Sequence, residues 1–255
     1  MNFESATPET EYAKDPKIKR DDIQALMQWV KDDPNLPDVT EFMLIQCYQV
    51  SDYDYKTSRK LVETLYDYKN QAPEIFTGQD YDASKYQMKF FDVHYMFVLP
   101  NVTYKGYRII FTGLKNTDPQ NFDSNFYITM SLKTLFSFVF EQGSCPGYVV
   151  ISDSFDYKFN HIRKMNFMAM KKLLRFVAEG IPIKMKSINI IRAHRISHYA
   201  LTLMRPFMSK EINESINLYS DMNKFFDVIP KECIPKDLGG TLPFTRDEYN
   251  GKKKV

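Results

Sequence analysis

Ile181-Pro182-Ile183-Lys184-Met185-Lys186-Ser187-Ile188-Asn189-Ile190-Ile191 is the stretch that decides the fold. Gly180 and Pro182 close the helical pattern before it, and Ser187 to Ile191 reads as a strand. Upstream, Tyr148-Val149-Val150-Ile151 is a second run of buried-strand type, ending in Ser152-Asp153. A helix is expected between them, over Ile162 to Glu179. Strand, helix, strand in this order is a βαβ unit, so the sheet is at least partly parallel and the fold class is α/β.

Working towards the N-terminus, a long helix is expected from Phe126 to Phe140, ended by Gly143 and Pro146. Before it, Phe97 to Pro100 and Tyr107 to Phe111 read as strands joined by a turn that contains Gly106. The first part of the chain is helical. Ile18, Ile23, Leu26, Met27 and Val30 recur near the helical period until Pro34 and Pro37. Thr40 is placed to cap a second helix, and a third runs from about Asp54 to Tyr68. The expected organisation is a helical module over residues 1–80, an α/β domain over 81–245 and a basic tail over 246–255.

Towards the C-terminus, Ile196, Tyr199, Ala200, Leu203, Met204 and Phe207 follow the spacing of one helical face. Pro206 interrupts this helix, and Ser209 can cap a second one carrying Ile212 and Ile216. An apolar face on a proline-broken helix suits a movable lid over a cavity, and equally an ordinary helix covering a sheet. Lys184, Lys186, Arg192, Arg195, Arg205 and Lys210 cluster around this segment. They suit reversible docking on an anionic leaflet, or simply a solvated basic face.

Composition excludes several function classes. A hydrophobic fraction of 44% and a charged fraction of 26% are those of a globular chain. A net charge of +2 gives no reason to expect nucleic acid as a partner. Three scattered cysteines suit reduced thiols and a cytoplasmic location better than a disulfide framework. Neither a signal peptide, a membrane-spanning run nor a lipidation motif is expected, so membrane contact is peripheral and reversible.

Catalytic signals are equally sparse. The chain carries no glycine-rich phosphate loop and no G-x-S-x-G elbow. Cys145 has no neighbouring His or Arg to activate a thiolate. His194 and His198 have zinc-ligand spacing without an intervening Glu, and read as solvent-facing histidines beside Arg192 and Arg195. Asp153 and Asp156, just past a strand end, read as turn residues. No enzyme, no metal and no cofactor is expected.

At this point a resemblance enters. Ile181 to Ile191 resembles a signature stretch of CRAL-TRIO (Sec14-like) lipid-binding domains. Arg205-Pro206-Phe207-Met208-Ser209 is similar to a second motif of that family, and Ile229 to Gly240 to its C-terminal one. Leu99-Pro100, Gly106 to Ile110 and Asp118-Pro119 occupy matching places. Ile23 to Leu26, Trp29 and Pro34 to Pro37 resemble the helical N-terminal part of the α-tocopherol-transfer-protein-like branch, especially its insect members. The likeness covers about residues 18 to 245.

The resemblance implies a helical module followed by a domain whose mostly parallel sheet floor and flanking helices enclose an apolar pocket. The segment Ile196 to Ile216 would be its mobile gate, which favours the lid reading. Family ligands include tocopherol, retinaldehyde, carotenoids, sterol-like lipids and phospholipids, so the implied function is carriage of a lipophilic small molecule between membranes. The alternative is a docking module for membranes or proteins, regulated by a bound lipid. By position, the implied pocket residues are Met130, Thr134, Ile151, Phe159, Leu173 and Val177. Ile183, Met185 and Ile188 continue the wall, with Leu203, Phe207 and Met208 on the gate. Of the basic set with which tocopherol-transfer proteins bind phosphoinositides, Lys184 and Lys186 match two positions. The other two fall on Glu211 and Ser215, which argues against phosphoinositide-triggered release. Asp156 stands where the family usually has Gly, and Asp tolerates the left-handed backbone of such a turn.

Overall fold

The structure is a computed structural model, and it describes residues 6–73 and 83–252. The chain opens with helix α1 (Pro8–Lys14), which the sequence reading did not anticipate; Thr7 caps it. Helices α2 (Arg20–Asp32), α3 (Glu41–Val50) and α4 (Tyr55–Gln71) follow. Thr40 caps α3 as expected, its Oγ1 accepting from Met43 N–H at 3.3 Å. α3 is apolar on nearly all sides and is the buried centre of the module, packed by α1, α2 and α4.

The module leans on the rest of the chain through specific polar contacts. The buried Glu11 carboxylate accepts the Ser144 N–H at 3.1 Å. Tyr68 donates its hydroxyl to Glu179 at 2.6 Å.

Helix α5 (Ala83–Val93) leads into strand β1 (His94–Val98) and then β2 (Arg108–Leu114). Helix α6 (Ser124–Gln142) ends at Gly143, whose φ of 69° is the left-handed conformation that glycine enters without strain. Strand β3 (Tyr148–Asp153) comes next. The single helix expected over Ile162 to Glu179 is two: α7 (Phe159–Arg163) and α8 (Phe167–Glu179). Asn166 divides them, its side chain accepting from Met168 and Ala169 N–H as an N-cap.

Strand β4 (Met185–Ile191) precedes α9 (Arg195–Met204), a 3₁₀ turn over Arg205–Phe207, and α10 (Lys210–Ser215). Ile216, expected on the last of these helices, instead opens strand β5 (Ile216–Tyr219). Helix α11 (Met222–Phe226) follows, and then α12 (Arg246–Lys252). Residues 246–252 were expected in a basic tail; they form α12, which packs on β1. The remaining tail residues lie outside the described residues.

The sheet order is β1-β2-β3-β4-β5, antiparallel between β1 and β2 and parallel elsewhere. The fold is therefore α/β with a mostly parallel sheet. Because side chains alternate along each strand, the sheet separates two cores. On one face Val98 and Ile110 pack with α6, α8 and the helical module. On the other, Phe97, Phe111, Ile151 and Ile191 pack with Phe225, Ile229 and Leu238 of the C-terminal segment.

Candidate ligand-binding site

The face covered by α6 and α8 carries two continuous rows of paired residues. The first runs Val98, Ile110, Val150, Ile188, Ile216 across the five strands. The second runs Met96, Thr112, Ser152, Ile190, Leu218. No member of either row is charged. Central parallel strands sandwiched between covering layers are normally buried on both sides. Here Val149, Ile151, Asn189 and Ile191 are, at 3% exposure or less. Their neighbours Val150, Ser152, Ile188 and Ile190 on the first face are only half-buried. Among the described residues the middle of the sheet is therefore less closely covered on that side.

A groove of about 340 Å³ opens at the start of β4, between α8, α10 and the helical module. Val177, Ile183, Met185 and Ile212 line it, and Glu179 and Glu211 are the charged residues on its wall. The gate segment is in place: α10 packs on α8, β4 and β5, while α9 is joined to the body by side-chain hydrogen bonds. Among the latter, Ser197 donates to Ser154 at 2.9 Å, and the His194 ring nitrogen lies 3.1 Å from the Phe155 carbonyl. The buried stripe of α9 is Ser197, Leu201 and Met204, one residue round from the expected face. Ile196, Ala200 and Leu203 are half-buried beside it, and Tyr199 is exposed.

Of the expected pocket residues, Met130, Leu173, Val177, Ile183 and Met185 pack on the face covered by α6 and α8. Met130 and Thr134 are buried on α6, and Leu173 and Val177 are half-buried on α8. Ile183 and Met185 lie in the groove, Ile188 in the first row, and Leu203, Phe207 and Met208 are half-buried on the gate. Two are displaced. Ile151 points into the opposite core, so that Val150 and Ser152 are what β3 presents here. Phe159 is 52% exposed on α7, its ring 5.8 Å from that of Tyr199.

The basic set divides by environment. Arg192 is not a free surface cation: its Nε donates to the buried Asp153 carboxylate at 2.8 Å, and its guanidinium lies 4.5 Å from the Phe155 ring. It adopts a φ of 50° to do so. Lys184 pairs with Asp52, and Lys186 lies over the Tyr107 ring at 5.7 Å. Arg195, Arg205 and Lys210 are exposed along the gate, with Lys210 loosely paired to Glu214 at 3.9 Å.

Asp153 does close a turn, accepting from Phe155 N–H at 3.2 Å. It is also the centre of an ion cluster that sequence reasoning missed. Arg246 Nη1 reaches it at 2.5 Å from α12, while Arg246 Nε pairs with Asp237 at 2.6 Å. Asp156, expected in a left-handed turn, does not have positive φ; Arg192 takes the left-handed position nearby.

A second unanticipated feature is a buried histidine pair. The His94 ring lies 4.5 Å from that of Tyr127, tilted by 43°, and burial, with the neighbouring His161, pushes its pKa down to about 3. His161 is likewise lowered by burial, and its Nδ1 accepts the Lys158 N–H at 2.9 Å. Its neutral tautomer therefore carries the proton on Nε2. Neither ring joins a metal cluster: among the described residues no group of three or more ligating side chains converges. Nor is any described helix long and apolar enough to cross a membrane.

Comparison with known proteins agrees with this architecture. A Pinta-like UBA domain matches residues 15–86. The alpha-tocopherol transfer protein-like protein of Homo sapiens is 24% identical over 238 residues, spanning 91% of this chain and 68% of that protein. Its Mus musculus counterpart is 23% identical over 235 residues, spanning 91% and 68%. Clavesin-1 of Rattus norvegicus matches 98 residues at 24% identity, 38% of this chain and 28% of that one. The crystal structure of Sfh5 shares the fold over 100% of this chain and 99% of its own, with a TM-score of 0.53 at 9% identity. The CRAL/TRIO domain model matches residues 92–240, more than half of the chain, which therefore belongs to the CRAL/TRIO family, whose members bind and transfer lipophilic ligands.

Proposed function

We propose that this protein is a non-catalytic carrier that takes a lipophilic small molecule from one membrane, shields it above the sheet and releases it at another. Tocopherols, retinoids, carotenoids and similar lipids are the ligand class. The observation that carries this reading is the pair of uncharged rows, closed against the core on one face of β3 and β4 and accessible on the other. Such a surface supplies about 25 cal/mol per Å² of apolar area covered, so a long lipid gains several kcal/mol before ordering costs.

Membrane contact is assigned to the outer side of the gate. Phe155, Phe159 and Tyr199 are 59%, 52% and 45% exposed, and Phe159 and Tyr199 meet across α7 and α9. Aromatic side chains favour the interface of a bilayer, and Arg195, Arg205 and Lys210 on the same segment complement an anionic one. Docking there would draw on the gate itself and so couple membrane contact to opening.

Native mass spectrometry of the purified protein, followed by organic extraction, tests the reading together with a donor-to-acceptor vesicle assay. One lipid of a single type and transfer between vesicles are expected. Vesicle binding without ligand movement would replace the carrier by a lipid-regulated docking module.

A further inference from the structure

We infer that the membrane-docking surface is acid-sensitive: protonation of His161 withdraws the cap that holds α7 and frees that helix to enter a bilayer. This rests on the assignment of Phe159 and its neighbours to membrane contact. α7 is five residues long, too short to persist on its own hydrogen bonds. Its ends are tied to one neighbouring turn. Lys158 Nζ donates to the Thr117 carbonyl at 3.1 Å, and Lys164 Nζ to that of Pro119 at 2.6 Å. Its middle is held by His161, whose buried ring meets Phe122 and Tyr157 edge-on with centroids 5.5 and 5.7 Å away.

The Nδ1 of that ring accepts the Lys158 N–H at 2.9 Å and so closes the first turn of the helix. An imidazolium has no acceptor left, because both nitrogens then carry hydrogen. Protonation sets two donors against each other at the cap and places a charge between two aromatic rings. On the other side of the ring, Nε2 is buried without a partner to receive that charge. Lys158 and Lys164 face the ring with like charge, and the Asp118 carboxylate opposes them. His94 approaches from β1, and the Tyr157 hydroxyl keeps its proton far above neutral pH. Arg163, on the same helix, is exposed.

The charged ring is therefore accommodated when α7 leaves its seat, where His161 regains the ordinary pKa of about 6.5. Above about pH 6.5 the seated helix dominates, and below it each unit of pH favours the released form by up to about tenfold. Release uncovers Ile162, only 5% exposed in the seated helix, close to Phe159. The apolar area offered to a bilayer grows as the ring takes its proton.

The test follows sedimentation of the full chain with neutral phosphatidylcholine vesicles at pH 7.5 and 5.5. Wild type is expected to bind about three- to tenfold more tightly at the lower pH. His161→Asn puts an amide oxygen where Nδ1 stood, so it keeps an acceptor for the Lys158 N–H and takes no proton. It should bind like wild type at pH 7.5 and show no rise at pH 5.5. If the variant does not fold, hydrogen exchange in the wild type replaces it: residues 159–164 should lose protection at pH 5.5, corrected for the intrinsic rate, while α6 keeps its own. Equal wild-type binding at the two pH values, a rise retained in His161→Asn, or unchanged protection would overturn the inference and leave the docking surface standing. No vesicle binding at either pH would remove the docking surface and the inference with it.

Discussion

The Asp153 carboxylate at the end of β3 receives the Arg246 guanidinium of α12 at 2.5 Å, across 93 residues of chain. Arg192, at the exit of β4, occupies the same carboxylate, so the C-terminal helix and the root of the gate share one buried anion. Removing that anion leaves Arg192 without its carboxylate and Arg246 with Asp237 alone. Breaking such a pair from one side costs about 3–5 kcal/mol. Asp153→Asn should lower unfolding free energy by that order in urea, and Arg246→Met in the Asn background should add much less than it does alone. Independent, additive losses would mean that the two residues do not act through one cluster.

His94 provides a pH signature. Its folded pKa is about 3, below the ordinary value, because burial disfavours the charged ring. Between the ordinary value near 6.5 and about 3, the unfolded chain binds a proton that the folded chain refuses. Stability contributed by the neutral ring is thus fully present above about pH 6.5 and falls as pH drops through that window, by up to about 1.4 kcal/mol per unit. His161, lowered in the same direction, adds to the slope. Urea midpoints measured from pH 7.5 to 4.5 should fall, and His94→Phe, which keeps the contact with Tyr127, should flatten the curve. An unchanged slope in the variant would remove His94 from the account.

The βαβ unit was legible because Tyr148 to Ile151 is a continuous apolar run and Ser187 to Ile191 an isoleucine-rich one, each following glycine and proline punctuation. That same continuity hid which face each residue takes. A strand apolar on both sides has no alternation to read, and Ile151 was placed on the face that belongs to Val150 and Ser152. Ile212 and Ile216 fit a helical period, so the pattern carries the helix one residue into β5. The Arg192–Asp153 pair spans 39 positions, and nothing local to Arg192 distinguishes an ion-pair partner from a surface cation. Local pattern carried the elements; the polar contacts between distant segments were not in it.

The exposed aromatics on α7 and α9 give a prediction about docking. Phe159→Ala and Tyr199→Ala should each weaken binding to neutral vesicles about three- to tenfold, in proportion to the ring area withdrawn from the interface. Arg195→Glu with Arg205→Glu should weaken binding to anionic vesicles only, and added salt should erase that difference. Sedimentation with vesicles of matched size reads both effects. Ligand retained in the absence of vesicles should be unchanged in all four substitutions; its loss would mean that Phe159 and Tyr199 close the pocket instead.

Phosphoinositides should not trigger release from this protein. The groove beside α10 presents Glu179 and Glu211, and Ser215 offers no charge. Hydrogen bonds from backbone N–H and from Ser209 hold the Glu211 pKa below its ordinary value, so it is ionised at neutral pH. Lys184 is already paired with Asp52, and Lys186 is turned onto Tyr107. A multiply charged headgroup here would meet carboxylates where it needs cations. Ligand transfer to vesicles containing phosphatidylinositol bisphosphate should therefore match transfer to vesicles of equal charge made with phosphatidylserine. Glu211→Lys combined with Ser215→Arg removes one negative and adds two positive charges, each worth about 1 kcal/mol near such a headgroup. The double variant should bind the phosphoinositide vesicles at least about tenfold more tightly than wild type. Stimulation of wild-type transfer by the phosphoinositide over the charge-matched control would show that the acidic groove is not where the headgroup is read.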